Sequence, residues 1–284
     1  MGARRQFVRR QHAILFVCII GFLSGCREHR GVADTARTRS TSSESSTQSY
    51  GTRFPLTEKP ISEGGRWLGG SSAGTSLRIG ENLLKRGRLW GDVQTEPGFA
   101  FGVDEPTKFG DPTAILTGTW GATQTVTATV KIKKTPTHGC CHEVELRLRT
   151  TISPKSITGY EAYCSVQPDK GYCHIARWNG PVDSYWNFET GASDVYLVDG
   201  DVITATATGT NPTVITLFRN DKQILQATDT GAAGGGFGAY GPWTSGSPGI
   251  GFFDDHDDNW RDFGFSSFEA RNGAPHASAD AAID

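Results

Sequence analysis

Between His142 and Trp178 the chain gathers the side chains best suited to chemistry. In Glu143-Val144-Glu145-Leu146-Arg147-Leu148-Arg149, charged and apolar residues alternate. An extended strand there puts Glu143, Glu145, Arg147 and Arg149 on one face, with Val144, Leu146 and Leu148 on the other. Two further runs, Gly159–Val166 and Gly171–Trp178, flank Gln167-Pro168-Asp169-Lys170, a sequence suited to a type I turn. A register centred on that turn sets Tyr163 opposite His174 and Ser165 opposite Tyr172, on the side of the acids. Cys164 then faces Cys173, and Ala162 faces Ile175, on the core side. The polar face collects Glu143, Glu145, Arg147, Arg149, Glu161, Tyr163, Tyr172 and His174. Arg177 falls on the core side, where a bulge or a strand end is expected. A slip of one residue would invert the whole assignment.

That set fits two kinds of chemistry. Carboxylates and arginines can hold hydroxyl groups while an aromatic ring stacks on a pyranose face. On this reading Glu143, Glu145, Arg147, Arg149, Glu161 and Trp178 are the ligand contacts of a polysaccharide-binding cleft. Alternatively, His174 or Tyr163 moves a proton α to a uronate carboxylate that Arg147 neutralises, which makes these three the catalytic candidates. The stretch Glu145-Leu146-Arg147 is similar to a strand motif of jelly-roll polysaccharide lyases, but the Tyr/Lys/Gln strand of those enzymes has no counterpart here. Glycoside hydrolysis needs two suitably spaced carboxylates, and Glu143 and Glu145 would lie about 6.8 Å apart along a strand without the expected third acid. A solvated face of alternating charges, with a structural or adhesive role, is the third reading. The incomplete lyase pattern favours binding over catalysis, with a lyase the expected activity if there is one.

Other residues call for smaller roles. Asp254, Asp255, Asp257 and Asp258 crowd hard oxygen ligands into one stretch, as Ca2+ requires, although EF-hand spacing is absent. Trp178, Trp186, Trp243 and Trp260 fall in or beside Gly/Pro/Asp-rich segments, where packing needs them less than a ligand would, although for any single tryptophan core packing is the better reading. Trp67, Trp90 and Trp120 read as core.

The elements that must position these residues read as strands. Thr125–Ile132, His142–Arg149 and Val202–Ala207 alternate with period two. Turn signals punctuate them at Asp199-Gly200, Asn211-Pro212, Asn220-Asp221 and Ser247-Pro248-Gly249. Glycine is abundant (36) and methionine nearly absent (1). Ser76–Arg88 alone could hold a helix. The expected fold is all-β, an antiparallel β-sandwich of the jelly-roll type.

Two stretches carry a family resemblance: Asp199–Ala205 followed by Thr213–Leu225, and Ser245–Phe253 followed by Asp262–Glu269. Together they resemble the concanavalin A-like lectin/glucanase superfamily, laminin-G-like domains included, although Lys222 stands where a turn glycine is usual. The resemblance implies two curved antiparallel sheets, a concave face that often holds a glycan, and often a structural calcium.

The ends set the expected location. Arg4, Arg5, Arg9 and Arg10 precede an apolar run of 11 residues, Ala13–Leu23. A membrane-spanning helix needs about 20, so the run reads as the core of a signal peptide over residues 1–25. Leu23-Ser24-Gly25-Cys26 resembles the lipobox of bacterial lipoproteins, which makes Cys26 the lipidation site. Ala3–Arg9 also resembles a twin-arginine export signal. Residues 26–52 are polar and rich in Ser and Thr and read as a lipidated, disordered stalk; 53–271 form the jelly-roll domain, and 272–284 a disordered tail. The chain is expected at the cell envelope, with its domain outside the cytoplasm and its membrane contact through lipid alone. Removing residues 1–25, which hold four arginines and no Lys, Asp or Glu, takes the formal charge from −2 to −6. That is a poor match for nucleic acid. In an oxidising compartment Cys140, Cys141, Cys164 and Cys173 serve disulfides better than zinc, since no paired C-x-x-C is present. The turn-centred register joins Cys164 to Cys173.

Overall fold

The computed structural model describes residues 48–70, 91–103, 111–137, 139–153, 156–180, 185–188, 191–232, 240–255 and 260–274, all within one compact unit, Ser45–Asp284. The helix considered at Ser76–Arg88, the signal peptide and Cys26 lie outside the described residues.

Among the described residues sixteen strands form. They are β1 (Ser49–Thr52), β2 (Trp67–Gly69), β3 (Asp92–Glu96), β4 (Phe99–Val103), β5 (Thr113–Leu116), β6 (Gln124–Ile132), β7 (Cys140–Ser153), β8 (Ser156–Ser165), β9 (Tyr172–Gly180), β10 (Tyr185–Asn187), β11 (Ala192–Ser193), β12 (Val202–Thr208), β13 (Thr213–Arg219), β14 (Lys222–Asp229), β15 (Ser247–Asp255) and β16 (Phe263–Asn272). They make two eight-stranded sheets. One runs β14-β13-β12-β6-β16-β4-β3, with β1 also on β16; the other runs β10-β9-β8-β7-β15-β5-β2, with β11 also on β9. Every ladder is antiparallel. This is the expected all-β fold, a sandwich of two antiparallel sheets.

Period-two alternation builds the core. Val126, Ala128 and Val130 of β6, with Ile203, Ala205, Ile215 and Leu217 of β12 and β13, point inward from the first sheet. Val144, Leu146, Leu148, Ala162 and Ile175 meet them from the second. Removing this apolar area from water, at roughly 25 cal/mol per Å2, drives the two layers together. The polar residues left over face outward, as with the Thr127 and Thr204 hydroxyls, 3.0 Å apart on the first sheet. The sheets begin at Ser49, four residues before the boundary drawn from composition, because Tyr50 packs on Trp67 and Phe268 and donates to Glu63.

The β8–β9 register is the turn-centred one. Tyr163 pairs with His174, Ala162 with Ile175, and Cys164 with Cys173. The two cysteines form a disulfide with an S–S length of 2.04 Å. Cys141 is also disulfide-bonded.

Candidate functional site

The face of β7, β8 and β9 turned away from the core carries Glu143, Glu145, Arg147, Glu161, Tyr163, Tyr172, His174 and Trp178, as the alternation requires. Most of these groups are buried against one another. Arg147 is 0 % exposed; its Nη2 donates to Glu145 and Asp111 and its Nη1 donates to Glu161. Trp178 donates its indole N–H to the same Glu161 oxygen. Gly251 of β15 makes room for the group, since a Cβ there would lie 2.1 Å from Glu145 Oε2 and 2.9 Å from Arg147 Nε.

One guanidinium cannot neutralise three carboxylates, and burial penalises every uncompensated charge. Burial therefore pushes the Glu145 carboxyl well above its usual range, and that of Asp111 upward too, with Arg147 opposing both shifts. Burial, opposed by Arg147 and aided by Asp111, sets Glu161 at about 7. For Arg147, burial favours loss of the proton, but the three carboxylates outweigh it and hold the cation more firmly than usual.

Beside this cluster runs a more open strip. Tyr172 donates its hydroxyl to Glu143. Burial lifts Glu143 to about 8, against the Tyr172 hydrogen bond, with the Glu161 and Asp111 charges adding to the rise. The rings of Tyr163, Tyr172 and His174 form a triangle with centroids 5.6, 5.6 and 6.2 Å apart. Tyr163 donates to Asn187 Oδ1 at 3.1 Å. Burial, with the Glu143 and Glu161 charges, raises the Tyr163 hydroxyl, the wrong direction for a phenolate base. Burial lowers His174 and keeps its imidazole neutral at neutral pH. Tyr185 of β10 pairs with Trp178 across the ladder, ring centroids 5.2 Å apart, and is 44 % exposed.

Several expectations are corrected. Arg149 does not share the outer face. A register shift between Leu148 and Thr151, with Arg149 at φ +49°, turns the side chain inward. There it donates to Thr213 Oγ1 at 2.9 Å and to the Trp243 and Gly209 carbonyls at 2.7 Å. No bulge interrupts β9 at Arg177. The strand stays regular, and the buried guanidinium meets Asp229 at 2.6 Å and Asn179 at 2.9 Å. Trp178 is a buried mid-strand residue and not a loop platform. Trp186 packs on Phe188 and Arg177, Trp243 donates to the Trp178 carbonyl at 2.8 Å, and Trp260 lies over Gly102. Of the acidic stretch only the Asp254 side chain is described, so the calcium expectation at Asp255, Asp257 and Asp258 lies outside the described residues. Asp254 is buried with its carboxylate 3.3 Å from His142 Nε2. Asp255 lies in β15 with its side chain outside the described residues, as are Asp257 and Asp258. Among the described residues, the acids that converge are Asp111, Glu145 and Glu161, with oxygens within 4.8 Å of one another, and Arg147 already bridges them.

Sequence reasoning missed Asp111 and Tyr185. Asp111 lies 36 residues from Arg147 with no strand pattern around it. Tyr185 belongs to a three-residue strand too short to show periodicity.

No protein-family model matches the chain, and no curated protein matches it. Among solved structures the chain is similar to the carbohydrate recognition domain of Emp47p, with 11% identity and a TM-score of 0.45 over 79% of this chain and 96% of that one. It is also similar to the exoplasmic/lumenal domain of VIP36 in a Ca2+/Man3GlcNAc-bound form, with 12% identity and a TM-score of 0.42 over 67% and 85%. An endo-1,3-β-glucanase from Streptomyces sioyaensis gives 11% identity and a TM-score of 0.46 over 81% and 98%. Likenesses at this level assign no activity, so function has to be argued from the site.

Proposed function

We propose that this domain binds a polysaccharide along the outer face of β7–β10. The observation that carries the reading is one rigid sheet joining the exposed ring of Tyr185, backed by Trp178, to a strip of half-buried hydrogen-bonding groups. That strip comprises Glu143, Tyr172, His174 and Asn187. A pyranose offers one apolar face and a rim of hydroxyls, so it needs an aromatic platform beside acceptors and donors held at fixed spacing. Tyr185→Ala should weaken glycan binding by about 5- to 30-fold, the equivalent of about 1–2 kcal/mol, with little change in stability because the ring is exposed. Isothermal titration against a ligand found on a glycan array checks this. Unchanged affinity, or no glycan bound by the wild type, refutes the reading.

Glu143 supports a second reading, as a hydrolase. A carboxyl that keeps its proton to about 8 is suited to act as a general acid. Release of reducing ends by the wild type, lost in Glu143→Gln, would turn the binding site into an active site.

The sequence Leu23–Cys26 further supports a lipid anchor at Cys26 that holds the domain at the cell envelope. Cys26→Ser should move the protein from the membrane fraction to the soluble one, because the acyl chains supply the attachment. Retention of the variant in membranes would refute the anchor.

A further inference from the structure

We propose that the outer face of β7–β10 selects uncharged saccharides and rejects uronates, with Arg147 the internal counter-ion of Asp111, Glu145 and Glu161 and not a clamp for a ligand carboxylate. The inference rests on the saccharide reading above and narrows it to one ligand class.

Arg147 is the sole arginine or lysine among the described outward-facing strand residues of β7–β11, since Arg149 and Arg177 both turn inward. A uronate would look to it for neutralisation. Both of its terminal nitrogens are already committed to protein carboxylates, its Nε lies over Gly251, and no part of the side chain reaches solvent. Freeing it would leave the buried Glu145 and Glu161 and the partly buried Asp111 without their cation.

The face also carries an excess of acid. Asp111, Glu143, Glu145 and Glu161 share a single guanidinium, and the neighbouring His174 is neutral. A carboxylate arriving beside the protonated Glu143 finds no free cation, and Glu161 and Asp111, which outnumber Arg147 when both are ionised, repel it more strongly than they would in bulk water. An uncharged pyranose meets no such barrier. Its hydroxyls can donate to Glu143 and Asn187 whether or not the deeper acids hold protons. The same argument removes the lyase reading, which required Arg147 to bind a uronate.

The test is titration of the intact wild-type domain at pH 7.5 with neutral oligosaccharides (β-glucan, mannan and xylan fragments) and with oligogalacturonate and oligoalginate of matched length, at low and high salt. The best neutral ligand should bind at least about 10-fold more tightly than either uronate. Raising the salt should narrow the gap by screening the repulsion, which a purely structural role for the cluster would not produce. Glu161→Gln, checked by circular dichroism to be folded, should narrow it as well. A uronate that binds as tightly as the neutral series, or a gap indifferent to salt, overturns the inference and leaves the saccharide site standing. Absence of binding to every glycan takes down both.

Discussion

Glu143 and Glu161 hold protons that free carboxyls would release, and this has a consequence for stability. In the unfolded chain each titrates near 4.5, whereas in the fold burial moves Glu143 to about 8 and Glu161 to about 7. Between those values the folded state binds more protons than the unfolded one, so stability must fall as pH rises. The contribution is fully present below about 4.5 and is lost as pH passes through 7 and then 8. Melting temperature should therefore decline from pH 5 to pH 8.5. In Glu143→Gln the decline should be shallower, because the amide oxygen still accepts from Tyr172 and has no proton to lose. Parallel slopes for the two proteins would show that Glu143 titrates as an ordinary carboxyl. The same residues explain the placement of the candidate catalytic groups. Tyr163 is locked to Asn187 and raised, and Arg147 is saturated, so the proposed ligand contacts fall to Glu143 and Tyr185.

Strands differ in how far their local sequence specifies them, which is why some of the site was legible from sequence and some was not. The β8–β9 hairpin was fully legible: two alternating runs flank a four-residue turn, and the turn fixes the register that pairs Cys164 with Cys173 and Tyr163 with His174. On β7 the alternation held from Glu143 to Leu148 and then failed. Nothing in Leu148-Arg149-Thr150 announces a bulge. Arg149 is drawn inward by acceptors from distant segments, the Ala122, Gly209 and Trp243 carbonyls and the Thr213 hydroxyl. Period two also put Arg177 in the core, and the expected escape through a bulge rested on the cost of a buried charge. The partner that offsets this cost, Asp229, is 52 residues further along the chain. Local patterning thus reports faces and hairpins, while the pairing of buried charges is a property of the assembled sandwich. Within the acidic run the same holds for Asp254, whose buried carboxylate is set by His142 on another strand.

At the scale of the whole sandwich, the pair formed by Arg177 and Asp229 ties the sheet that carries the site to the sheet that does not. Arg177 lies on β9 and Asp229 on β14, and both side chains are 0 % exposed. Asp229 also accepts from the Tyr160 hydroxyl at 2.8 Å and from the Gly231 N–H at 2.8 Å, while Arg177 donates to the Ala232 carbonyl at 3.0 Å. A pair buried this deeply adds little over a well-packed apolar contact, but breaking it from one side strands a charge without water. Arg177→Met should therefore cost about 3–5 kcal/mol in urea denaturation. Asp229→Asn added to that background should restore part of the loss, because it removes the stranded charge and keeps an acceptor for Tyr160. Such non-additivity is the signature of direct coupling. If the double variant were as unstable as the sum of the single ones, the ion pair would not be what joins the layers, and apolar burial alone would hold β9 against β14. Glycan affinity gives an independent reading. Tyr185 and Glu143 lie on the opposite face of the site sheet from Arg177, so Arg177→Met, where still folded, should shift affinity far less than Tyr185→Ala does.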